Sequence, residues 1–93
     1  MKLWVILRTD QRIQKDAVLE CEGDRFSSKE QWEKNLLSAS KLFDLSRPVM
    51  LSKHLKELEQ FGRTVFKPAD FMESVDFDRF EIEIVPEKPK QAK

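Results

Sequence analysis

The stretch Arg79-Phe80-Glu81-Ile82-Glu83-Ile84-Val85 decides the fold. Apolar and charged residues alternate with period two, so Phe80, Ile82 and Ile84 point one way and Glu81 and Glu83 the other. Successive side chains in a strand point to opposite faces of a sheet, so this is a strand with one buried face. The remaining question is what it pairs with.

The N-terminus offers the partner. Residues 2 to 9 carry Leu3, Val5 and Leu7 on one face and Trp4, Ile6 and Arg8 on the other. Apolar residues on both faces suit a central strand. The polar run Thr9-Asp10-Gln11-Arg12 predicts a loop of about four residues, followed by a second strand over residues 14 to 22. There Ala17, Leu19 and Cys21 alternate with Val18, Glu20 and Glu22. Gly23-Asp24 breaks it, and the pairs Ser27/Glu30 and Ser28/Gln31 each have capping-box spacing for a helix running to about Asp44. Trp32, Leu36, Ala39 and Phe43 form its apolar stripe.

Arg47-Pro48 ends that element, because a proline disfavours helical backbone at the preceding residue. A short strand, Val49-Met50-Leu51, is expected next. Ser52 then caps a second helix over residues 53 to 60, stopped by Gly62. Arg63 to Lys67 reads as extended, and Pro68 starts a single helical turn through Phe71. Residues 73 to 78 lead into the closing strand. Beyond Pro86 the tail Glu87-Lys88-Pro89-Lys90-Gln91-Ala92-Lys93 has no apolar anchor and reads as a disordered basic tail. The expected organisation is one α+β domain over residues 1 to 86.

The hairpin, the amphipathic helix and the closing strand beside the first one, parallel to it, together resemble the β-grasp of ubiquitin-like proteins. Gly62-Arg63-Thr64, followed about fifteen residues later by the last strand, is similar to the ubiquitin-like pattern. The resemblance implies a mixed sheet with one long helix across one face. The alternative is a ferredoxin-like two-layer α/β sandwich in which residues 53 to 60 form a full second helix. Ubiquitin-like modifiers and sulfur carriers end in Gly-Gly; this chain ends Lys90-Gln91-Ala92-Lys93, with no glycine after Gly62, so the resemblance does not extend to conjugation. Taken whole, the chain resembles the small uncharacterised proteins common in bacterial genomes.

Composition narrows the function classes. Seventeen acids balance seventeen bases. Nonspecific nucleic-acid binding rests on excess positive charge, so that function starts at a disadvantage. The charge is uneven: residues 69 to 87 hold seven acids and one base, and residues 41 to 67 hold six bases and three acids. A single cysteine excludes an internal disulfide and points to a reducing, cytoplasmic setting. The apolar run after Lys2 is only five residues long, too short for a signal-peptide core or a membrane span.

Candidate chemistry is sparse. His54, the only histidine, reads as a polar surface residue; as a general base its helical partner would be Glu57. Cys21 reads as a small core residue, with Glu20 and Glu22 raising its pKa. Asp76-x-Asp78 lacks the further ligands and glycine of a calcium loop. No phosphate-binding glycine loop, G-x-S-x-G or H-E-x-x-H occurs. No residue is assigned a catalytic, cofactor-binding or metal-ligating role.

The sheet face away from the helix is more informative. It is expected to carry Trp4, Ile6 and Val18 with Glu81 and Glu83 as an acidic rim. The leading expectation is a non-enzymatic module that meets a protein partner, or a second copy of itself, there. A basic patch of Arg47, Lys53, Lys56, Arg63 and Lys67, taking nucleic acid weakly, is the alternative. An enzyme built around His54 is the third.

Overall fold

The computed structural model describes residues 1 to 86; the expected tail lies outside the described residues. The order is β1 (Lys2–Thr9), β2 (Arg12–Glu20), α1 (Lys29–Lys41), α2 (Ser52–Phe61), β3 (Arg63–Phe66), a 3₁₀ turn (Pro68–Asp70) and β4 (Arg79–Val85). The four strands form one sheet in the order β2-β1-β4-β3, and every neighbouring pair is antiparallel. The protein is therefore an α+β domain with two helices over one antiparallel sheet.

β4 sits beside β1 as the expected layout had it, but antiparallel to it rather than parallel, and the sheet is not mixed. The segment after α1 also differs. Val49-Met50-Leu51 is not a strand. Met50 is buried and anchors the connection in the core, while Val49 and Leu51 face solvent. The Val49 N–H bonds the Asp70 carbonyl at 2.8 Å, outside the sheet. The expected strand over residues 49 to 51 is therefore absent, and the sheet has four strands. The second helix expected over residues 53 to 60 is present as Ser52–Phe61, so two helices, of 13 and 10 residues, stand where the β-grasp resemblance implied one.

The β1–β2 connection is a two-residue turn rather than four. Asp10 and Gln11 both take positive φ, 54° and 67°. Such a turn matches the twist of a hairpin, and Asp is one of the residues that tolerate it. β2 consequently starts and ends two residues earlier than its pattern suggested. A bulge opposite Leu7 and Arg8 adds a residue to it. The tip is tied down by Asp78, whose carboxylate accepts the Asp10 N–H at 2.6 Å and whose own N–H bonds the Arg8 carbonyl at 2.8 Å.

The core lies between the sheet and the helices. β1 supplies Leu3, Val5 and Leu7, β4 supplies Phe80 and Ile82, and β3 supplies Phe66; Trp32, Leu36, Ala39 and Leu58 cover them from the helices. Phe80 is the hub of an aromatic cluster, with Phe43, Phe66 and Phe71 rings at 6.5, 6.2 and 5.9 Å. The Phe43 and Phe71 rings meet it edge-on, a contact that adds to what area burial alone supplies. α1 is capped by Ser28, whose hydroxyl accepts the Gln31 N–H at 3.2 Å. The Gln31 side chain turns to Asn35 instead of back to the cap.

α2 ends at Gly62, with φ 72° and its N–H on the Leu58 carbonyl. A side chain there is strained, and a Cβ would lie 3.1 Å from Arg25 Nη2. Gly62→Ala should lower stability by about 1 kcal/mol, read as a shift of the urea midpoint with unchanged slope.

Candidate functional site on the open sheet face

Both helices cover the same face of the sheet, which leaves the other face to the even-numbered residues of β1. The register sets out that face in rows. Val18, Trp4, Glu83 and Arg63 form one row across the four strands; Asp16, Ile6, Glu81 and Val65 form the next. Lys2 with Glu20 flank the first row, and Arg8 with Arg79 flank the second.

The expected contact residues differ in exposure. Val18 is 59% exposed and Trp4 is half-buried. The Trp4 indole donates to Asp16 Oδ2 at 2.8 Å, which fixes the ring across the strands. Ile6 is only 1% exposed despite lying on the open face, so it is not a contact residue. Its register partners are Asp16 and Glu81, Trp4 and Arg8 flank it along β1 on the same face, and the Arg8 Nε–H closes on Glu81 Oε2 at 2.9 Å. Ile6 is thus a buried apolar residue on the open face, flanked by long polar and aromatic side chains.

The acidic rim becomes a balanced one. Glu81 is held by Arg8, with Arg79 Nη1 3.9 Å from the same oxygen. Lys2 Nζ stands 3.9 Å from Glu20. Four acids on this face (Asp16, Glu20, Glu81, Glu83) meet four bases (Lys2, Arg8, Arg63, Arg79). Arg8 and Arg79 were missed from sequence because their closeness to Glu81 follows only from the β1–β4 register. Two shallow hollows lie at this end. One of about 750 Å³ is lined by Phe61, Arg63, Val65, Arg79, Glu81 and Glu83 among others. One of about 480 Å³ is lined by Arg8, Gln11, Arg63, Arg79 and Glu81.

The five residues of the basic patch are spread over several elements. Arg63 belongs to the open face, while Lys53 and Lys56 are exposed on α2 in the other layer. Arg47 stands 3.9 Å from Glu33 of α1. Lys67 is exposed where the chain leaves β3.

His54 is not a surface residue. It is 0% exposed, with its ring 4.2 Å from that of Phe66. Its Nδ1 accepts the Leu51 N–H at 2.9 Å, so His54 caps α2 where Ser52 was expected to. Ser52 is itself the first helical residue. That bond requires an unprotonated Nδ1, so the proton of the neutral ring sits on Nε2. Nε2 is 3.7 Å from Asp70 Oδ2, too far for a hydrogen bond, and has no partner among the described residues. Burial pushes the imidazole pKa below its ordinary value, with Asp70 opposing. The signal available in sequence was spacing: His54 lies four residues before the buried Leu58, on the inward stripe of α2. Glu57, its prospective partner, is bonded instead to the Thr64 hydroxyl.

Cys21 is partly buried against the core, and burial, with Glu20 and Glu22 adding to it, holds its thiol above the ordinary value. The Asp78 carboxylate is occupied by the hairpin tip. Among the described residues no cluster of three or more His, Cys, Asp or Glu side chains could hold a metal ion, and no helix is long and apolar enough to cross a membrane. No protein-family model matches the chain, and no curated protein or solved structure matches it.

Proposed function

We propose that the protein is a non-enzymatic interaction module that meets a protein partner through the open sheet face around Trp4 and Val18. The observation that carries this reading is Val18, 59% exposed and directly opposite the half-buried, hydrogen-bonded Trp4, on the face away from both helices. A fixed aromatic beside an exposed aliphatic residue, with charged groups around them, is the make-up of an interface core and rim. The enclosed position of His54 counts against an enzyme built on it, since no solute reaches its imidazole. The layout shares with the β-grasp a hairpin, then a helix, then a closing strand beside the first one; its antiparallel pairing is closer to the ferredoxin-like alternative. A reducing, cytoplasmic setting is in keeping with the single cysteine.

The test compares wild type, Trp4→Glu and Val18→Glu as bait in an extract of the source cells, followed by reconstitution with the purified partner. Both variants should stay folded by circular dichroism, with Trp4→Glu losing less than about 2 kcal/mol. Both should weaken the partner's binding by about 2 kcal/mol or more, roughly thirtyfold. A partner held equally by all three baits would sink the reading.

A further inference from the structure

The open face has one end where positive charge is in excess. Arg8, Arg63 and Arg79 line the same 480 Å³ hollow with a single carboxylate, Glu81. Glu83, one row further along β4, brings the count to three cations against two anions. Of the guanidinium donors on these three residues, only the Arg8 Nε–H is hydrogen-bonded among the described residues. Arg79 stands 3.9 Å from Glu81, which is an ion-pair distance without a hydrogen bond. Arg8 is positioned by Glu81, so its two Nη groups present a fixed fork.

From this geometry we infer that the Arg8–Arg63–Arg79 end of the sheet binds carboxylate side chains of an acidic segment in the protein partner. The inference rests on the interaction reading above and specifies the partner's chemistry. Planar guanidinium forks match carboxylates bidentately, and such pairs are shorter and stronger than neutral hydrogen bonds. Apolar surface adjoins the site: Val65 and the 67% exposed Phe61 line the neighbouring hollow with Arg63 and Arg79. The segment that fits carries Asp or Glu with an apolar residue beside it. A polyphosphate chain fits less well, because Asp16, Glu20 and Glu83 share the face and would repel a ligand charged at every unit. A peptide can place its acids over the arginines alone.

The experiment is a calorimetric titration of the full chain with an acetylated peptide of six glutamates and one central leucine. The arginine Nε–H resonances are followed by NMR, at low and at moderate salt. Binding should be weak and salt-sensitive, and should shift the Arg63 and Arg79 side-chain signals. Arg63→Glu and Arg79→Glu should each lower the association constant about tenfold, whereas Lys53→Glu on α2 leaves it unchanged. Inorganic phosphate and a single-stranded oligonucleotide, run in parallel, should bind more weakly than the peptide. The inference is overturned by no peptide binding at low salt, by binding that ignores both arginine reversals, or by tighter binding of phosphate or oligonucleotide. A partner lost by Trp4→Glu but kept by both arginine variants would overturn this inference and leave the interaction reading standing.

Discussion

Phe80→Ala should bring the domain to the edge of unfolding. Phe80 is fully buried at the centre of β4, opposite Leu7 on one side and Phe66 on the other. Three further rings, those of Phe43, Phe66 and Phe71, pack around it, so truncation leaves a cavity that aromatic neighbours cannot fill without leaving one another. Losses for Phe→Ala in a core run about 3–5 kcal/mol. A domain holds only about 5–15 kcal/mol in total. At about 4–8 °C per kcal/mol for a chain of this size, the thermal midpoint should fall by roughly 15–30 °C. Calorimetry or far-UV circular dichroism reads this directly. A drop of only a few degrees would mean that the sheet's helix-facing side is not the main core.

Replacing His54 should cost nearly as much and should also change how stability depends on pH. His54→Ala removes a ring stacked on Phe66 and the acceptor of the Leu51 N–H. Cavity and lost cap together should cost about 2–3 kcal/mol. The pH effect follows from the direction of the shift. The folded-state pKa is lowered, mainly by burial; Lys53 adds to this, while Asp70 and Glu57 oppose it. At pH above the unfolded value of about 6.5 both states are neutral at this residue, and the full stability is present. As pH falls below about 6.5 the unfolded chain takes up a proton that the folded one resists, so stability declines until the lowered folded pKa is passed. A proton on Nδ1 would also break the α2 cap. His54→Asn keeps an oxygen acceptor without titrating, so urea midpoints of that variant should be flatter than wild type between about pH 5 and 7. Equal slopes in the two proteins would remove His54 as the cause.

How far these features could be read from sequence depends on the kind of signal each leaves. Period-two alternation in residues 79 to 85 marks which side of β4 is buried, and Phe80 and Ile82 are indeed buried there. Alternation is the same in parallel and antiparallel sheets, so it carries no direction, and the segment Val49–Leu51 also stayed out of the sheet. That segment has strand-like residues, but a tertiary anchor, Met50, claims it instead. Positive φ at Asp10 and Gln11 shortened the hairpin loop, since two turn residues sufficed where four polar ones were present. On the candidate site, Trp4 and Val18 were legible from the strand pattern. The burial of Ile6 and the convergence of Arg8, Arg63 and Arg79 were not, because both arise from cross-strand register, including that between β1 and the distant β4. His54 was obscured by its polarity, although its helical spacing from Leu58 marked it as inward.

The central claim is that the sheet has one face for stability and another for a partner. Hydroxyl-radical footprinting of the protein in source-cell extract, compared with the same protein alone in buffer, tests it most directly. Trp4 and Val18 should lose labelling in the extract, while Phe26 and Met72, 70% and 86% exposed in loops outside the sheet, should label equally in both. Unchanged labelling of Trp4 and Val18, or protection confined to Phe26 or Met72, would contradict the account.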